Sequence, residues 1–203
     1  WFASGSLSSS LISTLTLLLC CFTGSKSLEL VGIKSFDHGF LILSCALGMA
    51  IAGITYQIHI LATLVILIGC SSWYLFSNRT TLTEKWNFGS VDLMISFLLV
   101  IAFLFTGNDH REAISSFVTQ PVRTDTFYFS ALTQSLSESS YFDLYLEKGT
   151  TLNYQFLSFL FPAFLKHFSG YNAHQAMWAF TMPVYKILGI TGFAICTNRL
   201  ILS

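Results

Sequence analysis

Gly39-Phe-Leu-Ile-Leu-Ser-Cys-Ala-Leu-Gly-Met-Ala-Ile-Ala-Gly-Ile-Thr-Tyr56 carries no charged side chain at any of its positions. A helix needs about 20 mostly apolar residues to cross the hydrocarbon of a bilayer. This stretch, and the run 58–76 that follows it almost directly, read as two membrane spans. A third lies upstream at 7–23, built around Leu11-Ile-Ser-Thr-Leu-Thr-Leu-Leu-Leu-Cys-Cys-Phe22 and ended by Gly24 and Ser25. It lacks a basic start and further apolar runs follow it, so it reads as a span and not a secretory signal. Downstream runs at 91–105, 152–168 and 175–197 bring the expected number to about six.

Composition agrees. Apolar residues make up 53% of the chain and charged ones 10%, against about a quarter charged in soluble domains. The formal net charge is zero, which gives no footprint for a nucleic-acid partner. The expected fold is all-α: a polytopic transmembrane helical bundle of about six spans, in an integral, multi-pass protein of the bacterial inner membrane. A long external loop at 107–151 would carry an amphipathic interfacial helix. Residues 1–203 form one transmembrane unit. Because it opens on Trp1 and closes on Arg199-Leu-Ile-Leu-Ser203, the unit reads as a fragment of a larger protein.

Few polar residues interrupt the apolar runs. Asp92 falls in the first turn of the fourth, where a carboxylate meets free backbone N–H groups and the positive end of the helix dipole. Pro162 and Pro183 lie inside the fifth and sixth. Each removes a backbone hydrogen bond, which membrane helices tolerate when a neighbour satisfies the freed carbonyl. Lys186 either snorkels to an interface or pairs with an acid on another helix. Cys20, Cys21, Cys45, Cys70 and Cys196 show no CxxC and no metal-ligand spacing, and read as small apolar packing residues.

Lys and Arg placement sets orientation. Lys26 and Lys34, then Arg79 and Lys85, then Lys166 follow the first, third and fifth spans, and so put those three connections on the cytoplasmic side. The long fourth connection then faces outward. Asn78-Arg79-Thr80 fits a glycosylation acceptor, but on this scheme it faces the cytoplasm.

The segment 107–151 is too long for a plain connector and too aromatic to be disordered. Phe117, Phe127, Tyr128, Phe129, Tyr141, Phe142 and Tyr145 all fall in it. Thr124 is a fitting N-cap with Asp125 in the first turn. Phe129, Leu132 and Leu136 then recur on one helical face, either against the membrane surface or against the rest of the protein. Residues 141–148 read as extended or a turn. Asn108-Asp109-His110-Arg111-Glu112 places two carboxylates, an imidazole and a guanidinium where the fourth span leaves lipid. Such a group suits a divalent cation held through oxygen, or a general base. Arg111, Arg123 and Lys148 could hold a phosphate.

An acid cluster after a span, then Arg123-Thr-Asp-Thr-Phe-Tyr-Phe129, a short amphipathic helix and Leu152-Asn-Tyr-Gln-Phe-Leu157 resemble the first large external loop of GT-C-type membrane glycosyltransferases and their relatives of unknown activity. The likeness covers roughly residues 90–170. Some of that family carry Asp-x-x-Phe-His there, followed by Tyr-His at the next helix. Asp125 matches the acid and Tyr154 the tyrosine. Tyr128, Phe129 and Gln155 stand in place of the Phe, the His and the second His. The resemblance implies transfer of a sugar from a polyprenyl-phosphate donor at the outer membrane face, in contact with membrane lipid. Asp125 or Asp109 would be the catalytic acid group. Arg111, Arg123, His110 and Tyr154 would bind substrate. Asp109 and Glu112 would hold a divalent metal, Mg or Mn. The competing expectation is a secondary transporter or another non-enzymatic membrane protein, which would place polar residues and broken helices near the midplane.

Overall fold

A computed structural model describes residues 7–33, 38–78, 124–138, 143–144, 147–151 and 157–202. In chain order these form α1 (Leu7–Leu30), α2 (His38–Ile58), α3 (Ile60–Ser77), α4 (Thr124–Glu138), β1 (Asp143–Leu144), β2 (Glu147–Thr151), α5 (Leu157–Ser169), a π-helical segment (Gln175–Thr181) and α6 (Met182–Leu202). Helices α1, α2 and α3 are each long and apolar enough to cross a membrane. The chain is therefore read as an integral membrane protein. The expected fourth span, 91–105, lies outside the described residues.

The three spanning helices form one unit. Helix α2 runs antiparallel to α1, and the two backbones all but touch. A Cβ built on Gly24 would overlap the Ser44 carbonyl, and one on Gly48 would overlap the Cys20 carbonyl. Each helix thus offers a small residue four positions from its glycine: Cys20 before Gly24, Ser44 before Gly48. In lipid, where there is no hydrophobic drive between helices, such small-residue contacts let dispersion and backbone packing hold a pair together.

Helix α3 lies parallel to α1. Ser71 Oγ donates to the Leu19 carbonyl at 3.0 Å, and Thr23 Oγ1 donates to the Leu67 carbonyl at 3.3 Å. At one end of the unit Glu29 accepts from Lys26 Nζ at 3.1 Å and from Asn78 Nδ2 at 2.9 Å. Lys26 also lies 4.5 Å over the Trp73 ring. With Asn78 so engaged, its side-chain amide serves as a tie between α1 and α3. Other α1 hydroxyls turn inward on their own helix: Ser13, Thr16, Ser25 and Ser27 each donate to the carbonyl four residues back. This is how a serine- and threonine-rich helix avoids bare hydroxyls in lipid.

The sequence predicts a stop for α1 at Gly24 and Ser25; the helix continues to Leu30. Gly24 is spent on the approach to α2, not on a cap. The stop comes at Gly32, whose φ of 89° only glycine adopts without strain. There Ile33 N–H donates to the Leu28 carbonyl at 2.9 Å and Gly32 N–H to the Glu29 carbonyl at 3.0 Å, the paired bonds of a Schellman ending. Lys26, expected in the first connection, is therefore a helical residue with its side chain only 9% exposed.

Helix α5 is where the expected span pattern changes. It has 13 residues, about 20 Å of helix, against roughly 30 Å of hydrocarbon. A Cβ on Gly53 of α2 would meet Leu160 Cβ at 2.7 Å. Tyr56 meets Phe164 and His167, with ring centroids 5.7 and 5.9 Å away. Rising numbers on α2 face rising numbers on α5, so the two are parallel and α5 starts near the middle of α2. Lys166 and His167 consequently lie with Tyr56 at the His59 end of the unit, opposite Lys26 and Glu29. That corrects the alternation expected from Lys and Arg placement, which put Lys166 on the side of Lys26 and Lys34. The reason is length: a helix that begins halfway needs only half a crossing.

Both expected prolines stand where the backbone has been adjusted. Pro162 deprives the Ser158 carbonyl of its helical donor, and Tyr185 Oη donates to that oxygen instead, at 3.1 Å. Pro183 follows closely on the π-helical segment, in which Thr181 Oγ1 donates to the Ala176 carbonyl at 2.7 Å. The wider turn accommodates the proline ring.

Helix α4 forms as expected, and Leu132 and Leu136 are buried. Of its two expected settings, the contacts favour packing on the protein. Phe129 packs on Phe159, with centroids 5.3 Å apart, and Lys166 Nζ donates to Ser137 Oγ at 2.8 Å. Helix α4 therefore stands alongside α5, parallel to it. The described fold is helical throughout except for a small antiparallel hairpin, β1–β2, pairing Asp143 with Thr151 and Leu144 with Glu147.

Two outcomes follow from these contacts. Gly48→Leu will collapse the melting temperature or the detergent-soluble yield. Gly69→Leu, which points its side chain into open space, will leave both within a few degrees, since overpacking a closed site costs about 1–3 kcal/mol or more. Tyr185→Phe will cost about 1–3 kcal/mol by stranding the Ser158 carbonyl. In a Pro162→Ala background the same change will cost much less, because the alanine's backbone N–H restores the helical donor; a double-mutant thermal cycle reads the difference.

Candidate functional site

The residues the sequence singles out can be placed only in part. Asp109, His110, Arg111, Glu112, Arg123 and Tyr154 lie outside the described residues. Asp125 is in the first turn of α4, and its backbone position is what the structure gives. Among the described residues no three His, Cys, Asp or Glu side chains gather as a metal set. The candidate site is therefore built from the element that carries Asp125 and from what fixes that element.

The C-terminal turn of α4 leaves carbonyls without helical donors, and α2 supplies them. Tyr56 Oη donates to the Ser137 carbonyl at 3.0 Å, and Gln57 Nε2 to the Leu136 carbonyl at 3.1 Å. Lys166 adds its positive charge at the negative end of the α4 dipole. It donates to Ser137 Oγ and lies 3.7 Å from Glu138. Gln134 in turn donates to Glu138. None of these capping groups is expected from sequence. Tyr56 and Gln57 read only as the end of a span, and nothing in one chain marks a span end as the partner of a helix some eighty residues away.

The apolar side of α4 seals the contact. Leu132 and Leu136 pack with Phe159, Leu160, Ala163 and Met177. Phe129 stacks on Trp178, with centroids 6.1 Å apart. Ser130 Oγ meets His174 Nδ1 at 3.2 Å. Burial holds the His174 imidazole below its ordinary pKa, so its neutral form is the one favoured beside α4.

Helix α4 is thus clamped at its C-terminus and along one face, and its N-terminal turn, with Asp125, is directed toward mid-height of the unit. A helix N-terminus carries the positive end of the helix dipole, which suits an anion. Lys186, the other charge of interest, is exposed on α6.

No family model, no curated protein and no solved structure matches this chain.

Removing the clamp tests its role. In the double variant Tyr56→Phe, Gln57→Ala, amide exchange in α4 will speed up by about 10- to 100-fold, from the loss of two hydrogen bonds of about 1 kcal/mol each. Exchange in α1 and α3 will be unchanged.

Proposed function

We propose that the chain is the membrane-embedded part of a glycosyltransferase-like enzyme that moves a sugar from a polyprenyl-phosphate donor at the outer membrane face. One observation supports this most: the segment between the spanning unit and α5 contains a helix fixed at one end and along one side, with Asp125 in the first turn of its other end. The donor's lipid tail would stay in the bilayer, and its phosphate and sugar would reach inward from the outer face to the α4 N-terminal turn at mid-height. Asp125 or Asp109 acts as general base on the acceptor hydroxyl. Arg111 and Arg123 hold the phosphate, with His110 and Tyr154 lining the same substrate. Asp109 and Glu112 are assigned to a divalent cation, Mg or Mn, whose charge would offset that of the leaving phosphate.

A second reading, a secondary transporter, is favoured by a different observation. Helix α5 starts near the middle of α2, and the π-helical segment interrupts the return helix, so broken helices lie near the midplane. Among the described residues Lys186 is exposed on α6.

Full-length protein assayed with a lipid-linked sugar separates the two. Under the enzyme reading, Asp125→Asn or Asp109→Asn lowers turnover by about 100-fold or more. Wild-type turnover in both variants removes the site assignment. Solute uptake into proteoliposomes free of lipid-linked sugar establishes the transporter instead.

A further inference from the structure

Helix α4 is held at two heights. At its C-terminus Tyr56 and Gln57 donate to the Ser137 and Leu136 carbonyls. Asp125 lies about 18 Å from Ser137 along the helix, so a tilt of about 3° at that end moves the first turn by about 1 Å. The second hold is on the side. Ser130 Oγ and His174 Nδ1 lie 3.2 Å apart, and Ser130 is only about 7.5 Å from Asp125 along the axis. Phe129 beside it stacks on Trp178. Stacked rings are held over a range of offsets, whereas a hydrogen bond weakens steeply with angle. Two apolar groups of the same shape would pack there about as stably. What the polar pair adds is direction.

The imidazole stands on a fixed base. Asn172 and Gln175 form a reciprocal cap around it: Gln175 N–H donates to Asn172 Oδ1 at 2.8 Å, and Asn172 N–H to Gln175 Oε1 at 3.2 Å. Such a cap fixes the entry of a helix. Ala176 N–H closes the first turn on the Asn172 carbonyl at 2.9 Å. We infer that His174 is a positioning residue: through Ser130 it sets the rotation of α4 and thereby the placement of the Asp125 turn. The inference rests on the enzymatic reading, in which Asp125 serves as general base. A misplacement of about 1 Å at a reacting group can cost about 100-fold in rate.

The test uses full-length protein in nanodiscs, assayed with a lipid-linked sugar and by residue-resolved amide exchange. Ser130→Ala and His174→Phe will each lower kcat by about 10- to 100-fold and leave KM within about twofold, the pattern of a loss confined to the transition state. The double variant will lose no more than either single one, because the two groups act as a unit. Ser130→Thr, which keeps the hydroxyl, and His174→Asn, which keeps a polar atom near the place of Nδ1, will restore most of the rate. In Ser130→Ala, amides 128–131 will exchange about fivefold faster while 134–138 stay unchanged. A raised KM at unchanged kcat overturns the inference, as do additive losses in the double variant. Absence of transfer by the wild type removes the enzymatic reading and the catalytic role together. Unchanged exchange at 128–131 removes the brace itself, whatever the transfer assay shows.

Discussion

The α1–α2 crossing is the constraint on which the rest of the molecule is built. Two backbones can come within contact of one another in lipid only where side chains vanish, and here they vanish reciprocally: Gly24 against Ser44, Gly48 against Cys20. Once α1 and α2 are this close, the hydroxyls of Thr23 and Ser71 can bridge α1 to α3 at 3.4 Å. The opposite face of α2 remains free for α5. Bulkier side chains at the crossing would widen the pair and lose both.

A second regularity is the handling of backbone groups that helices leave bare. Water is not on hand inside a bilayer to satisfy a stray carbonyl. The chain answers with side chains from other helices. Tyr185 serves the carbonyl that Pro162 frees, and Tyr56 and Gln57 serve the end of α4. The same three residues thereby fix neighbours in place. Helix α5 is pinned to α6 and α4 to α2, and the apolar cluster of Leu132, Leu136, Phe159 and Met177 fills between them.

What depends on composition and period is legible in the sequence. The apolar runs mark α1 to α3, and the Phe129, Leu132, Leu136 stripe marks α4 with its buried face. Pro162 announces its need for a substitute donor. What escapes depends on tertiary partners. Gly24 reads as a stop because a glycine is both a breaker and a point of approach, and only the helix opposite decides which. Cys20-x-x-x-Gly24 and Ser44-x-x-x-Gly48 are nonetheless visible as small residues at helical spacing, a signal that could identify the crossing. The direction of α5 is not readable from 152–168, since an apolar run fixes burial but not the depth at which a helix begins. The proposed acid site is legible only as residue types, and of its members Asp125 alone falls on a described element.

The tie between α4 and α2 joins residues 81 positions apart in the chain. During synthesis α2 is complete long before Ser137 exists, so Tyr56 and Gln57 wait with their polar groups at the end of an inserted hairpin. Contacts of such long range form late. Helix α5, by contrast, shares one buried core with α1, α2 and α3, so the α4–α2 seam, held by the Tyr56 and Gln57 hydrogen bonds, is a more local attachment than the α5 one.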